Sequence, residues 1–108
     1  SFPGIVGYVA AKGAIRSMTK AIAGHCLEQG YAIRCNSVHP GTIDTDMVRD
    51  LRSAYASSDP AQPLTAEGPY AALGVPDDVA ALVVYLLADE SRFMTGEEMV
   101  IDSGYTIR

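Results

Sequence analysis

The chain reads Tyr31-Ala32-Ile33-Arg34-Cys35-Asn36-Ser37-Val38, and Pro40-Gly41 follows almost at once. This run contains residues that favour extended backbone and is too short for another helix, while Pro-Gly marks a turn. It therefore predicts a β-strand over residues 31–38. A second short run, Glu98-Met99-Val100-Ile101-Asp102, predicts another strand before Ser103-Gly104.

A long helix is predicted before the first strand. From Val6 to Glu28, small and apolar residues recur at intervals of three and four, which is the stripe of an amphipathic helix. Gly30 stands where a glycine commonly ends a helix. We expect this stripe to meet strands that the 108 residues do not supply. Its members are Val9, Ala10, Ala14, Ile15, Met18, Ala21, Ile22 and Leu27.

Two shorter helices are predicted between the strands. Thr45 and Asp46 can open one over residues 47–55, and residues 57–69 are rich in Ser, Asp, Gln and Pro, which indicates a mobile segment. Pro76-Asp77-Asp78 marks the start of the other helix, because proline suits a first turn and carboxylates favour the positive end of the helix dipole.

A strand, a helical connection and a second strand form the βαβ arrangement, whose crossover is right-handed and whose sheet is usually parallel. The fold class is therefore α/β. A parallel sheet normally has several strands and helices on both faces, whereas only two strands are predicted here. We expect the chain to form part of a larger sheet.

Composition limits the classes of function. The 108 residues suffice for one modest core, and 48% of them are hydrophobic, which excludes a disordered or collagen-like chain. Eight scattered Lys and Arg residues against 13 Asp and Glu give a net charge of −5, so no nucleic acid partner is expected. No apolar run is long enough to cross a bilayer and no signal peptide is visible, so no membrane partner is expected either.

The cysteines and histidines predict no bound metal. Cys26 and Cys35 lack the CxxC spacing and have no pattern of His partners, which favours free thiols in a reducing, cytoplasmic setting. His25 and His39 are 14 residues apart on different elements, without a third ligand. We therefore expect a cytoplasmic protein without a metal site.

One pair of residues points to chemistry. Tyr8 and Lys12 are four apart on the long helix, so they are separated by about 6 Å along one face and their heads can converge. A phenol is a poor acid or base at neutral pH, but a neighbouring ammonium favours the phenolate. Such a tyrosine can exchange a proton with an alcohol or a carbonyl oxygen. The same spacing also occurs by chance on many helices, which leaves an ordinary surface pair as the alternative.

Four ordered sequence blocks place this pair in a wider context. Together they resemble the C-terminal half of the short-chain dehydrogenase/reductase family, over nearly the whole chain. Within that family, residues 29–40 are most similar to bacterial hydroxysteroid dehydrogenases. The blocks are Tyr8-Val9-Ala10-Ala11-Lys12-Gly13-Ala14-Ile15, residues 33–45, Gly74-Val75-Pro76-Asp77-Asp78-Val79-Ala80, and Met94-Thr95-Gly96 with Val100-Ile101-Asp102-Ser103-Gly104-Tyr105.

The resemblance implies the C-terminal portion of a Rossmann-type doubly wound parallel sheet. Residues 1–108 would be the C-terminal part of one dinucleotide-binding domain whose N-terminal cofactor half is absent, and residues 46–73 match the family's substrate lid. The implied activity is hydride transfer between NAD or NADP and a small secondary alcohol or ketone. The family's use of the long helix at a subunit interface implies a homo-oligomer, either a dimer or a tetramer.

The resemblance also implies roles for individual residues. Tyr8 matches the general acid/base, and Lys12 matches the lysine that favours the phenolate and hydrogen-bonds the nicotinamide ribose. A loop after a strand holds the nicotinamide end, with the backbone near Ile43 meeting the carboxamide and the Thr45 hydroxyl as a further contact. This position agrees with the general rule that ligands lie beyond the carboxyl ends of parallel strands. The matching loop residues are Pro40, Gly41, Ile43 and Thr45.

Two parts of the family's machinery have no counterpart in the sequence. The glycine-rich phosphate turn belongs to the N-terminal half, so the choice between NAD and NADP is not readable, and Ser1 does not stand at the position of the catalytic serine. The chain alone is therefore expected to be inactive. A noncatalytic fragment or interaction module that keeps the scaffold is one alternative, and a reductase of 3-ketoacyl thioesters on acyl carrier protein is another.

Overall fold

The chain folds as a long helix, a strand, two helices and a second strand. The computed structural model describes residues 6–56 and 73–107. The chain divides into two compact units, the first made of Ser1–Val38 with Val84–Met99 and the second of His39–Val83 with Val100–Arg108. The elements are α1 (Val6–Glu28), β1 (Ser37–Pro40), α2 (Asp46–Ala56), α3 (Pro76–Leu87) and β2 (Glu98–Ile101).

The strands β1 and β2 pair in parallel. The Ser37 N–H donates to the Glu97 carbonyl at 2.9 Å, and the Gly41 N–H donates to the Ile101 carbonyl at 2.9 Å. The partners advance along the chain together, so the two strands run in the same direction. This pairing, with α2 and α3 between the strands, confirms the α/β class.

The prediction of a strand over residues 31–38 is wrong for its first six residues, because β1 begins only at Ser37. Side-chain hydrogen bonds hold the chain before that point. The Arg34 guanidinium donates to the carbonyls of Leu86 at 2.7 Å and of Met94 at 3.2 Å. The Asn36 amide also donates to the Met94 carbonyl, at 3.0 Å. One main-chain hydrogen bond, from the Gly96 N–H to the Cys35 carbonyl at 2.7 Å, joins these side-chain bonds, but no regular ladder forms there.

The helix α1 has the bounds that its apolar periodicity predicts, and it ends in a glycine cap. Gly30 has a φ of +69°, in the left-handed region that glycine adopts without strain. The Gly30 N–H donates to the Leu27 carbonyl at 3.2 Å, and the Tyr31 N–H donates to the Cys26 carbonyl at 2.8 Å. These two bonds form a Schellman motif, which satisfies carbonyls that the last helical turn leaves unpaired.

The buried face of α1 consists of small side chains. Thr19, Ala23 and Cys26 are buried, whereas the large apolar residues of the stripe are exposed. A Cβ placed on Gly96 would lie 3.5 Å from the Ala23 Cβ. The small residues therefore allow α1 to approach the chain just before β2 closely.

The helices α2 and α3 begin at capping side chains. The Thr45 hydroxyl accepts the Val48 N–H at 3.4 Å ahead of α2, and the Asp78 carboxylate accepts the Val75 N–H at 2.8 Å ahead of α3. Acceptors in these positions satisfy N–H groups that a first helical turn leaves unpaired. Both helix starts agree with the sequence prediction.

Two expectations for the middle of the chain meet the structure only in part. Within the lid expected over residues 46–73, α2 accounts for the first eleven residues, and the mobile segment expected over residues 57–69 lies outside the described residues. The helix α3 ends at Leu87, two residues before its expected end near Asp89. Within the described ranges, no helix is both long enough and apolar enough to cross a membrane.

Candidate active site

Tyr8 and Lys12 lie one turn apart on α1, in the first unit. The Lys12 ammonium is 5.4 Å from the centre of the Tyr8 ring, within the range of a cation–π contact. The Tyr8 side chain is 59% exposed, and no other described residue hydrogen-bonds its hydroxyl. The structure thus brings the two side chains together and leaves the phenol oxygen open to a ligand.

The loop after β1, in the second unit, begins against the end of β2. Pro40 is the exposed last residue of β1. Next to it, Gly41 packs so closely that a Cβ there would lie 2.9 Å from the Asp102 Cα, nearer than real Cβ atoms approach. The loop ends at Thr45, whose hydroxyl oxygen accepts a hydrogen bond as the cap of α2. The hydroxyl proton of Thr45 remains available for donation to a ligand.

Ile43, in the middle of this loop, has main-chain groups that its neighbours do not use. It forms an isolated parallel bridge with Gly74. The Gly74 N–H donates to the Thr42 carbonyl at 3.1 Å, and the Asp44 N–H donates to the Gly74 carbonyl at 2.8 Å. Thr42 and Asp44 both bond Gly74, so Ile43, which lies between them, directs its own N–H and C=O away from Gly74. Among residues 6–56 and 73–107 neither group has a partner, so a donor and an acceptor stand side by side for a ligand.

Asp102 organises the turn after β2 and lies against Gly41 of the loop. Its Oδ1 accepts the Gly104 N–H and its Oδ2 accepts the Thr106 N–H, each at 2.9 Å. The hydrogen bond from the Thr106 side chain, followed by those from main-chain N–H groups, lowers the pKa of the Asp102 carboxyl below its ordinary value of 3.8. The carboxylate is therefore charged at neutral pH.

Sequence reasoning missed two features beside this loop. Arg49 pairs with Asp44 and with Asp46, each at 2.9 Å, and the spacing of Asp46 and Arg49 on one helix could have indicated half of that cluster. These exposed pairs contribute little stability. Gly74 belongs to one of the sequence blocks, but the sequence predicts no role for it. Its place just before the capped start of α3 was the available signal.

The predicted site residues fall into two groups, one in each unit. Within each group the residues lie close together. In the described parts of the chain, no three His, Cys, Asp or Glu side chains come together as metal ligands. His25 instead makes an edge contact with Tyr31, with ring centres 6.0 Å apart. The groups are Tyr8 with Lys12 in the first unit, and Pro40, Gly41, Ile43 and Thr45 in the second.

Comparison with curated proteins identifies relatives that are dehydrogenases. The NADP-dependent (R)-specific alcohol dehydrogenase of Lentilactobacillus kefiri is 42% identical over 104 residues, which cover 96% of this chain and 40% of that protein. The cyclohexanol dehydrogenase of Acinetobacter sp. (strain SE19) is 39% identical over 102 residues, which cover 94% of this chain and 37% of that protein. The chain thus spans roughly two fifths of the length of these curated relatives.

Solved structures and a family model agree with these relatives. A short chain dehydrogenase family protein from Francisella tularensis is 41% identical with a TM-score of 0.85, over 100% of this chain and 46% of that chain. A 4-hydroxyisoleucine dehydrogenase complexed with NADH is 32% identical with a TM-score of 0.67, over 94% of this chain and 38% of that chain. The family model described as enoyl-(acyl carrier protein) reductase matches residues 1–106. With its ordered sequence blocks and its parallel α/β fold, the chain belongs to the short-chain dehydrogenase/reductase family.

Proposed function

We propose that the protein carrying this chain is an NAD- or NADP-dependent alcohol dehydrogenase or carbonyl reductase that acts on secondary alcohols and ketones. The observation that carries the proposal is the Tyr8–Lys12 pair, in which the Lys12 ammonium lies 5.4 Å from the ring centre of an exposed tyrosine with an open hydroxyl. Relatives named as an alcohol dehydrogenase and a cyclohexanol dehydrogenase support the same substrate class.

Tyr8 performs the proton transfer in this proposal. During oxidation its phenolate takes the proton of the alcohol, and during reduction its phenol donates a proton to the carbonyl oxygen. The Lys12 ammonium stabilises the negative charge that the phenolate carries. When bound, the nicotinamide cofactor accepts or supplies the hydride.

The main chain of the loop after β1 fits the nicotinamide end of that cofactor. A primary carboxamide offers one acceptor oxygen and two donor hydrogens. The open N–H of Ile43 can donate to that oxygen, and the open C=O of Ile43 can accept from the amide nitrogen. The Thr45 hydroxyl supplies a further donor. Pro40 and Gly41 precede these groups in the loop and carry no long side chain.

Narrower features are part of the same proposal. Residues 46–73 act as the substrate lid, and a hydroxysteroid is the specific substrate that residues 29–40 favour. The family's use of the long helix at a subunit interface supports a homo-oligomer, and we place the protein in the cytoplasm. The identities of the relatives support either nicotinamide cofactor, because one relative is named NADP-dependent and one solved structure is a complex with NADH.

The test is Tyr8→Phe in the full protein that contains this chain. Turnover of the preferred alcohol should fall by about 10²- to 10⁴-fold, the usual contribution of a general acid or base, while cofactor affinity stays within a few-fold. Tyr31→Phe is the matched control, because it removes a tyrosine hydroxyl elsewhere and keeps the ring contact with His25. Near-normal turnover by Tyr8→Phe would remove Tyr8 from the mechanism.

The substrate panel separates the alternatives. Turnover of small secondary alcohols and hydroxysteroids supports the proposal, whereas turnover confined to 3-ketoacyl thioesters would replace it with the carrier-protein reductase. A wild-type protein that binds no nicotinamide cofactor and turns over none of these compounds would be the noncatalytic module.

A further inference from the structure

Gly74, which lies outside the loop after β1, makes two main-chain hydrogen bonds to the centre of that loop. Its N–H bonds the carbonyl of Thr42, and its C=O accepts the N–H of Asp44. Among the described residues, these are the hydrogen bonds made by the main chain of residues 42–44. The orientation of the Ile43 peptide groups between those two anchors therefore depends on Gly74.

A side chain at position 74 would meet the end of the Ile43 side chain. A Cβ there would lie 2.6 Å from the Ile43 Cδ1, a distance that real Cβ atoms essentially never show. Cδ1 would therefore have to turn away about the outer torsion of the Ile43 side chain. The absence of a Cβ allows the Gly74 main chain to approach Ile43 closely enough for both hydrogen bonds.

The start of α3 fixes the position of Gly74. The Asp78 carboxylate accepts the N–H of Val75 at 2.8 Å, which ties the residue after Gly74 to the first turn of the helix. A shift of Gly74 would therefore have to disturb this cap as well. The bridge consequently holds Ile43 against a helix terminus rather than against another loop.

We propose that Gly74 is a positioning residue for the cofactor, because it directs the open N–H and C=O of Ile43 toward the nicotinamide carboxamide. This inference rests on the function proposed above and adds a residue that contacts neither substrate nor cofactor. Gly74 acts through the Ile43 main chain, so its effect is confined to the nicotinamide end of the ligand.

The test compares two ligands on Gly74→Ala in the full protein that contains this chain. Isothermal titration with NAD and NADP is set beside titration with ADP-ribose and 2′-phospho-ADP-ribose, which lack the nicotinamide. We expect affinity for the matching dinucleotide to fall about tenfold, as the loss of two neutral hydrogen bonds would give. Affinity for the corresponding ADP-ribose compound should stay within a factor of about two, since it has no carboxamide to contact Ile43.

A compensating substitution separates positioning from general damage. Ile43→Val removes the Cδ1 that the new methyl group would meet, so Gly74→Ala with Ile43→Val should recover most of the lost dinucleotide affinity. Ile43→Val alone is the reference for the double variant, so that the effect of the added methyl group is measured separately from the loss of Cδ1. Gly24→Ala is the control for adding a methyl group, since a Cβ there meets nothing within 4 Å.

Several results would overturn the inference about Gly74. They are an equal loss for both ligand types in Gly74→Ala, no loss for either, or a loss that Ile43→Val does not reverse. Equal affinity of the wild type for both ligand types would overturn the carboxamide contact itself. A wild-type protein that binds no nicotinamide cofactor would instead contradict the proposed function, so the two failures are distinguishable.

Discussion

The charge of the Asp102 carboxylate stabilises the turn that follows β2. Its two carboxylate oxygens accept the N–H groups of Gly104 and Thr106. Protonation would turn one of these acceptor oxygens into a donor O–H, and Gly41 of the loop after β1 packs on the same residue. The protonation state of Asp102 therefore affects the turn and the adjoining loop together.

The pH dependence of this turn follows from the lowered pKa of Asp102. A carboxyl whose pKa is lower in the folded state stabilises the fold fully above its unfolded value, and the contribution is lost as pH falls through the folded value. We expect amide-exchange protection of Gly104 and Thr106 to weaken in acid below the ordinary value of 3.8. Asp102→Asn should remove that acid dependence. An unchanged acid profile in the variant would contradict the assignment.

Lys12 should affect both chemistry and binding, since the proposal gives it the phenolate and the nicotinamide ribose. Lys12→Met is expected to lower kcat and weaken cofactor affinity together, measured by steady-state kinetics and direct titration. Lys20→Met on the same helix is the control, because the Lys20 ammonium already pairs with Glu98 at 2.9 Å. A Lys12→Met enzyme with a normal Kd for the cofactor would exclude the ribose contact.

Among the elements, α3 has a carboxyl end held by a side chain from another part of the first unit. The Arg34 guanidinium donates to the Leu86 carbonyl at 2.7 Å and reaches the Ala88 carbonyl at 3.5 Å. The last carbonyls of a helix have no partners within the helix, so a cation there serves both hydrogen bonding and the helix dipole.

Removal of this cap should destabilise the fold. Arg34→Leu is expected to lower the free energy of unfolding by about 1.5 kcal/mol, the lower end of the range for hydrogen bonds from charged groups. The carbonyls of Leu86 and Ala88 keep a second donor, the Ser91 hydroxyl, at 2.9 and 3.0 Å. Urea denaturation measures the change. Arg92→Leu, at an exposed position, should stay within about 0.5 kcal/mol of the wild type. Equal effects of the two substitutions would show that the Arg34 bonds do not stabilise the fold.

The elements also show which parts of the fold the sequence could predict. The bounds of α1 and the starts of α2 and α3 depend on neighbours within a few residues, such as Gly30 and the Thr45 cap, so local patterns found them. The strand over residues 31–38 was misplaced because Arg34 and Asn36 bond carbonyls more than fifty residues away. Side chains with distant partners leave no periodic pattern in the sequence.

The candidate site divides in the same way. The spacing of Tyr8 and Lys12 on one helix predicts their contact, and the structure confirms that contact. The open peptide groups of Ile43 were not predictable from the loop itself. They depend on a bridge to Gly74, which lies far along the chain. The sequence blocks located the loop, and the long-range pairing determines what it can bind.

In the whole molecule, the described chain leaves many large apolar side chains exposed. On α1 they include Val9, Met18 and Leu27, and on α3 they include Val84 and Leu87. Large apolar side chains that are exposed to solvent promote association. Their exposure agrees with the expectation that the stripe of α1 meets strands from outside these 108 residues.

Residues 1–108 expressed alone should therefore bind nicotinamide dinucleotides weakly and should self-associate. The sequence contains no glycine-rich strand–turn–helix for the pyrophosphate, so only the ribose and carboxamide contacts remain. These few bonds must offset an association cost of roughly 4 kcal/mol or more, which predicts millimolar or weaker binding. Titration and light scattering test this, with the full protein as control. Micromolar binding by a sharply melting monomer would contradict it.

The hydrogen bond from the Asp44 N–H to the Gly74 carbonyl also holds together the two ends of the chain segment that lies between these residues. The entropy lost on closing a chain grows only with the logarithm of its length, so doubling the length between two fixed ends adds roughly 0.6 kcal/mol. The entropic cost of holding Asp44 against Gly74 therefore changes little with the length of the chain between them. Differences in length between these two anchors are compatible with an unchanged Asp44–Gly74 hydrogen bond.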